Sequence, residues 1–263
     1  MSRNPFSIWL LVLPGLLLIL LLGLPVLALV VEGAQANLGE MLRSEQVRAA
    51  LRLSLVTSLL SLVVVLLTGT PLAYGLARWQ FQGRSWLELL VDLPIVLPPS
   101  VAGLALLMAF GRRGLLGGSL EAMGISLPFT TAAVVLAQVF VAGPLYVRAA
   151  RIGFGAVDSQ LEEAAVTEGA SQWDLFRQVM VPAALPALVS GALLCWARAL
   201  GEFGATILFA GNLVGRTQTM PLAIYIGFES DRGAALAISL LLVGVSAGLL
   251  ALLRRLERNW QVS

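Results

Sequence analysis

The chain has 263 residues, of which 58% are apolar and 12% charged, with a formal net charge of +2. Soluble domains carry about 25% charged residues, so this composition predicts an integral membrane protein, and the scattered arginines do not form a nucleic-acid-binding patch. The chain contains no histidine and no lysine, which excludes a Ser-His-Asp triad, a His-ligated metal site and a phosphate-binding loop with its lysine.

Six apolar runs reach or approach the roughly 20 residues that a membrane-spanning helix needs. Together they predict one transmembrane domain over residues 1–263. The first run could instead be a signal peptide, because Ala34-Gln35-Ala36 resembles a cleavage site. It is longer than the about 7–15 apolar residues of a signal peptide, so a retained helix is favoured. The predicted spans are 8–31, 53–77, 86–110, 129–147, 187–210 and 234–253.

Six spans would place both termini on the same side of the membrane. The positive-inside rule assigns the side with more arginines to the cytoplasm. With cytoplasmic termini, that side carries Arg3, Arg78, Arg84, Arg148, Arg151, Arg177, Arg254, Arg255 and Arg258. The other side then has fewer, namely Arg43, Arg48, Arg112, Arg113, Arg216 and Arg232. The sequence therefore predicts cytoplasmic termini.

The third run contains Pro94, Pro98 and Pro99. Proline removes a helical hydrogen bond. Two interpretations follow: the freed backbone groups face an anion in a water-filled cavity, or the prolines only kink the helix. Glycines in several runs are expected to allow close helix contacts, namely Gly69, Gly75, Gly103, Gly201 and Gly204.

Residues 153–186 form the longest polar stretch between runs, and their pattern is typical of soluble helices. Ser159 to Glu162 predicts a capping box with Ser159 at the N-cap. Gly169 fits a helix end that needs a left-handed residue. Ser171 to Asp174 predicts a second helix start, and Pro182 ends that segment. We therefore expect two short helices joined at Gly169.

The small side chains of Ala164 and Ala165 leave a low surface on the first of these helices. A groove of another protein could close around such a surface, whereas Trp173, Phe176 and Val179 or Met180 would face the bundle. The alternative is a solvated loop without a partner. The residues alone leave both open.

The same loop resembles the signature of ABC importer permeases. That signature is Glu-Ala-Ala, three residues, Gly, nine residues and Ile-x-Leu-Pro. The chain has Glu163-Ala164-Ala165, Gly169 and Val179-Met180-Val181-Pro182 at the same spacing, with Val179 and Val181 as conservative departures and Glu168 in place of the usual Leu. The resemblance implies a coupling helix seated in an ATPase subunit, with Glu163, Ala164, Ala165, Gly169, Val179 and Pro182 as coupling residues.

The fifth run contains two charges, Arg198 and Glu202. Residues four apart share a helix face, and charges in a bilayer usually face the bundle interior and pair with one another. They either line the path of a dianion or form a neutralised pair that fixes helix packing. Thr206 follows on the same run and is the last candidate for the translocation path.

Further resemblance concerns the transported ion. Residues 198–207, 211–225, 93–99 and 111–114 are similar to molybdate permeases. Sulfate/thiosulfate permeases share much of the first segment and remain the alternative, and tungstate is not separable from molybdate. Residues 212–229, which include Pro221, predict a short re-entrant or interfacial helix on the outer side. The resemblance implies that this helix helps to shape the outer face where a binding protein docks.

The resemblance implies an all-α, type I ABC importer permease-like fold with six transmembrane helices. It implies a multi-pass protein of the bacterial or archaeal cytoplasmic (inner) membrane, in contact with lipid. It also implies a homodimer, two ABC ATPase subunits in the cytoplasm that bind ATP and Mg²⁺, and an extracytoplasmic oxyanion-binding protein. No catalytic residue, metal site or cofactor is expected in this chain.

Two other classes of membrane protein fit the sequence less well. An ion-coupled secondary transporter predicts inverted repeats and ionisable residues at mid-membrane, and the sequence has no clear repeat. An intramembrane enzyme needs a nucleophile with a base or a metal cluster, and the sequence has no histidine. Neither class explains the spacing of residues 163–182.

Overall fold

The structure is a computed structural model that describes residues 5–35, 39 and 43–262, with side chains for 12–34, 39 and 43–258. Arg3 and Ala36 lie outside the described residues. The described part of the chain is helical and contains no strand, which confirms the predicted all-α class. Its helices are α1 (Pro5–Gln35), α2 (Glu45–Arg78), α3 (Arg84–Val96), α4 (Pro99–Phe110), α5 (Gly117–Ala122), α6 (Thr131–Gly155), α7 (Ser159–Thr167), α8 (Gln172–Asp174), α9 (Val181–Leu200), α10 (Gly204–Phe209), α11 (Met220–Ser230) and α12 (Arg232–Val262).

Five described helical segments are long and apolar enough to cross a membrane. They are Val12–Ala34, Glu45–Arg78, Thr131–Gly155, Gln172–Leu200 and Arg232–Arg258. They correspond to five of the six apolar runs. The sixth run, 86–110, is divided between α3 and α4, so a count of six continuous spanning helices is not confirmed.

The interruption between α3 and α4 follows from its prolines. Leu97 and Pro98 have extended ψ angles of 134° and 136°, because a residue before proline is disfavoured in the helical region. Pro99 then begins α4, where its missing N–H costs nothing. The apolar run 187–210 is also interrupted: α9 ends at Leu200, and α10 begins after a turn at Gly201.

Helix α6 is the centre of the bundle. More than half of its spanning window, 56%, is buried, compared with 33% for α2 and 0% for α1. Small residues allow this burial. If Gly69 of α2 had a Cβ, that atom would lie 3.1 Å from the Tyr146 ring of α6. Gly191 of α9 packs in the same way against Ala149 of α6. Helices α2 and α9 therefore pack directly on α6.

The two ends of the bundle carry different connections. At one end, the loop from α6 to α9 covers a buried cluster that includes Tyr74, Phe154, Leu175 and Met180. At the opposite end, Thr131 donates its hydroxyl hydrogen to the carbonyl of Arg216 at 2.9 Å. That bond joins the start of α6 to the connection between α10 and α11, at the end of the bundle away from the α6–α9 loop.

Candidate functional site

Helix α7 begins one residue earlier than the predicted capping box. Asp158, not Ser159, is the N-cap, and its carboxylate accepts a hydrogen bond from the Gln160 amide at 2.9 Å. Aspartate is as good an N-cap as serine, so the upstream acidic residue takes the position. Glu162 is consequently free of the capping role and bonds elsewhere.

The end of α7 and the start of α8 follow the predicted pattern. Gly169 has a φ of +88°, and the Ala170 amide donates to the Ala165 carbonyl at 3.0 Å. Ser171 is an N-cap whose hydroxyl oxygen accepts from the Asp174 amide at 3.2 Å, while the Ser171 amide donates back to the Asp174 carboxylate. The predicted turn at Gly169 and the second helix start are therefore present. Pro182 was expected to end the second helix, but the helical segment Gln172–Leu200 continues through it, because Pro182 lies in the first turn of α9, where proline is tolerated.

A π-helical turn, which the sequence analysis missed, connects α8 to α9. It spans Leu175–Met180, and the Val181 amide donates to the Phe176 carbonyl five residues earlier. π-turns occur frequently at functional sites. Leu175 and Met180 are buried, at 1% and 0% exposure, so this turn anchors the loop in the bundle.

The outer surface of α7 is open. None of its residues is buried, and Glu163 and Ala164 are exposed, whereas Ala165 packs against the core. Leu161 and Val166 of α7 are large apolar side chains that are also exposed. Trp173 of α8 was expected to face the bundle, but it is 65% exposed, because it lies before the chain enters the bundle at Leu175. Of the other predicted coupling residues, Val179 is half-buried in the π-turn and Pro182 is exposed near the start of α9. The arrangement combines exposed apolar side chains with the exposed carboxylates of Glu163 and Glu168, a mixed surface suited to contact with another protein.

Arg78, the last residue of α2, contacts α7 and the residues on either side of it from within the bundle. One guanidinium nitrogen lies 3.5 Å from the Glu162 carboxylate of α7. The other donates to the Val157 carbonyl at 2.8 Å and lies 3.9 Å from the Met180 sulfur. No sequence pattern indicated Arg78 as a site residue, since its partners are far away along the chain.

An aromatic cluster surrounds Arg78's helix end. The Tyr74 ring lies 5.5 Å from Phe154 of α6 and 5.0 Å from Phe176 of the π-turn, both edge-on. Trp173 stacks on Phe176 at 5.7 Å. Edge-to-face aromatic pairs at these distances are stabilising, so α2, α6 and the loop are packed as one unit.

The predicted pair in the fifth run is formed. A guanidinium nitrogen of Arg198 lies 2.7 Å from a carboxylate oxygen of Glu202, and the two side chains are 34% and 1% exposed. The other Glu202 oxygen accepts from the Ala205 amide at 2.7 Å. The carboxylate therefore connects the end of α9 with the first turn of α10.

The two interrupted runs meet at their breaks. A Cβ on Gly204 would lie 2.5 Å from the Pro99 side chain, and one on Gly103 would lie 2.8 Å from the Ala205 carbonyl oxygen. Pro98 and Pro99 are exposed and Pro94 is buried. Thr206 is buried, and within the described residues its hydroxyl has no hydrogen-bond partner. Pro99 and Glu202, which bonds to Ala205, therefore lie at this crossing, whereas Pro94 lines a separate pocket with Gly69 of α2 and Gly143 of α6. The role of the path candidates stays a prediction.

Buried hydroxyls follow one face of α2 toward the end opposite the α6–α9 loop. Ser54 accepts from the Met220 amide at 2.7 Å, Ser58 accepts from the Trp196 indole at 3.0 Å, and the Ser61 hydroxyl donates to the Gln138 side-chain oxygen at 2.9 Å. Helix α2 is therefore hydrogen-bonded to α11, α9 and α6. The sequence signal for this seam was the run of serines and threonine at 54, 57, 58 and 61.

The described residues contain no group of three or more potential metal-ligating side chains. Nothing in the site therefore has the ligand set of a metal centre. The features that the geometry combines are an open helical surface, its Arg78 support and a bundle with two interrupted helices.

Residues 69–262 match the family described as binding-protein-dependent transport system inner membrane component. The chain is 43% identical over 235 residues to a molybdenum transport system permease protein of Mycobacterium bovis, covering 89% of each chain. It is 40% identical over 205 residues to the molybdenum transport system permease protein of Escherichia coli K12, covering 78% of this chain and 90% of the relative.

A solved structure shares the fold. It is a bacterial alginate ABC transporter in complex with an alginate pentasaccharide-bound periplasmic protein, with a TM-score of 0.79 over 97% of this chain and 94% of that one. The sequence identity is 17%. The similarity shows the fold alone.

Proposed function

Because this chain belongs to the family of binding-protein-dependent transport system inner membrane components, we propose that it is the permease subunit of an ATP-driven molybdate importer. The observation that carries the proposal is the 43% identity to a molybdenum transport permease over 89% of both chains. Such coverage includes the α7 surface, the α3–α4 break and the Arg198–Glu202 pair. Tungstate, which has the same charge and shape class, is included in the proposed substrate class.

The ATPase partner docks on the surface formed by Glu163, Ala164 and their exposed apolar neighbours on α7. The chain has no lysine for a phosphate-binding loop, so ATP and Mg²⁺ bind to the partner. Exposed apolar side chains on a short capped helix favour a protein groove over water. The ATPase subunits deliver motion to α7, and this chain performs no chemistry.

The pathway for the anion lies between two copies of this chain, each contributing its α4–α10 crossing. Lipid covers the remaining apolar surface, such as that of α1, whose window is 0% buried within the chain. A soluble binding protein delivers the oxyanion to the end that carries Arg112, Arg113 and Arg216. This part of the proposal is supported by the alginate transporter of the same fold, which was solved with its periplasmic protein.

Transport by the reconstituted complex tests the proposal. The permease, its ATPase and its binding protein are placed in liposomes, and uptake of labelled molybdate, tungstate and sulfate is measured with ATP and with a non-hydrolysable analogue. We expect uptake of molybdate and tungstate that requires hydrolysis. Uptake of sulfate without molybdate would identify the alternative substrate class, and uptake without an ATPase would contradict the proposed ATP-driven importer.

A further inference from the structure

Helix α7 has two kinds of connection to the bundle. The peptide chain joins it to α6 at residues 156–158 and, through α8 and the π-turn, to α9. Helix α2 is remote in sequence and touches the loop only through side chains. Those side chains are Arg78, which reaches Glu162, and Tyr74, which packs on Phe176.

Arg78 is placed to transmit force. Its side chain is 16% exposed, and its contacts lie on three successive parts of the loop: Val157 before α7, Glu162 on α7 and Met180 after it. A guanidinium is rigid, always charged and able to hold several acceptors at once. A displacement of α7 therefore moves the end of α2 or breaks these contacts.

Neighbouring carboxylates on α7 have different surroundings. Glu162 is 30% exposed at its side chain and faces Arg78, whereas Glu163 is exposed on the open surface and makes no salt bridge within the described residues. The first is directed inward to the bundle and the second outward to a partner. Glu162 is therefore placed to pass motion into the bundle, and Glu163 to contact the docked partner.

Helix α2 continues the connection. Its buried Ser54, Ser58 and Ser61 bond to Met220, Trp196 and Gln138. A shift of α2 therefore acts on α11, α9 and α6 at the end of the bundle opposite α7. The Tyr74–Phe176 contact also joins the loop to α2, but Arg78 is the α2 residue whose ion pair reaches α7 itself.

We propose that Arg78 is a positioning residue that carries displacement of α7 into α2, through its ion pair with Glu162, so that ATP-driven motion reaches the α2 hydroxyl seam. The inference rests on the proposed function as an importer, but not on molybdate as the solute. It makes α2 a third route into the bundle beside the two covalent ones.

The test uses the full complex in liposomes and two readouts: solute transported per ATP hydrolysed, and affinity for the ATPase subunit. Glu162→Gln removes the charge and keeps the shape of a half-exposed side chain. We expect it to lower the transport-to-hydrolysis ratio about fivefold, the scale of one partly exposed ion pair, with ATPase affinity unchanged. Arg78→Lys, which keeps the charge but loses the fork, is expected to retain part of the ratio.

Glu88→Gln is the matched control. Glu88 is 28% exposed and pairs with Arg84 at 2.9 Å and Arg151 at 3.0 Å, joining α3 to α6 without touching the loop. The transport-to-hydrolysis ratio of the Glu88→Gln variant should stay at the wild-type value. An unchanged ratio in Glu162→Gln, or an equal fall in Glu88→Gln, would overturn the role of Arg78.

Two further outcomes are decisive. If Arg78→Gln and Glu162→Gln act through one contact, the double variant should lose no more than the stronger single variant, and fully additive losses would contradict the proposal. Failure of the wild-type complex to transport any oxyanion would instead contradict the proposed function. The two failures are therefore distinguishable.

Discussion

Glu202 shows how one buried carboxylate can join two helices. Its oxygens accept from Arg198 and from the Ala205 amide, both at 2.7 Å, and the side chain is 1% exposed. Two charge-assisted bonds offset the cost of removing the carboxylate from water. This geometry is what a brace between α9 and α10 requires, whereas a residue that only lined a path would have no need of the Ala205 bond.

Removal of the carboxylate should therefore destabilise the protein. In Glu202→Ala, the buried Ala205 amide loses its acceptor, and the partly exposed Arg198 guanidinium loses its ion-pair partner. We expect a loss of about 2 kcal/mol in the free energy of unfolding. The measurement is denaturant-induced unfolding of the purified permease in detergent, followed by tryptophan fluorescence.

Glu32→Ala is the control for that experiment. Glu32 pairs with Arg232 at 2.6 Å, but the side chains are 52% and 65% exposed, so its loss should change stability little, as for most exposed pairs. A Glu202→Ala protein as stable as wild type but unable to transport would favour the path-lining interpretation over the brace.

At the scale of elements, the end of α7 depends on Gly169. Its φ of +88° is costly for a residue with a Cβ, by about 1–2 kcal/mol. Gly169→Ala should therefore favour loop conformations in which α7 and α8 no longer meet at this turn, and should weaken ATPase binding about fivefold or more. Binding of the labelled ATPase to the permease in lipid nanodiscs measures the affinity.

Gly155→Ala is the matched control for Gly169→Ala. Gly155 ends α6, has no strained φ, and a Cβ there would meet nothing within 4 Å. The Gly155→Ala permease should bind the labelled ATPase as tightly as the wild-type permease does. Equal weakening by both substitutions, or none by Gly169→Ala, would mean that the turn does not shape the docking surface.

The predictable part of this loop is the part set by neighbours in sequence. Gly169 as a helix end and Ser171 as a cap follow from contacts within a few residues, and both are present. The predicted Ser159 cap was wrong by one position because Asp158 is an equally good cap that precedes it. Capping and helix-end signals between sequence neighbours therefore located the helices of the loop, but they did not assign the role of every residue.

The unpredictable part is set by distant partners. Glu162 is drawn to Arg78 of another helix, and no spacing rule relates the two. The π-turn at Leu175–Met180 is similar, since burial of both Leu175 and Met180 against the bundle accompanies the widened turn. The Arg198–Glu202 pair was predicted from its four-residue spacing, and it forms although Glu202 lies beyond the end of α9 at Leu200.

The interrupted spans belong to the same category. The prolines near position 98 indicated a disturbance in the third run, and the structure resolves it into two helices. The break after Leu200 had a weaker signal, the glycines at 201 and 204. Close packing of Gly204 on Pro99 connects the two breaks, which only tertiary structure could relate.

At the scale of the whole molecule, the two ends of the bundle differ in chemistry. The α6–α9 loop and Arg78 lie at one end, while the Thr131–Arg216 hydrogen bond marks the other. Arg112 and Arg113 follow α4. The positive-inside rule assigns the first end to the cytoplasm, where an ATPase would meet α7. Orientation can therefore be tested independently of transport.

The chain's single cysteine makes that test direct. Cys195 is 1% exposed, and Cys195→Ala gives a background without thiols. Arg113→Cys and Glu257→Cys then each add one exposed site, after α4 and near the end of α12. With a membrane-impermeant maleimide on intact cells, Arg113→Cys should be labelled, and Glu257→Cys should be labelled only after permeabilisation. Both variants should be labelled equally in detergent, and the unmodified chain, with its buried thiol, should not. The reverse pattern would place α7 outside the cell, away from ATP, and would contradict docking of a cytoplasmic ATPase on this surface.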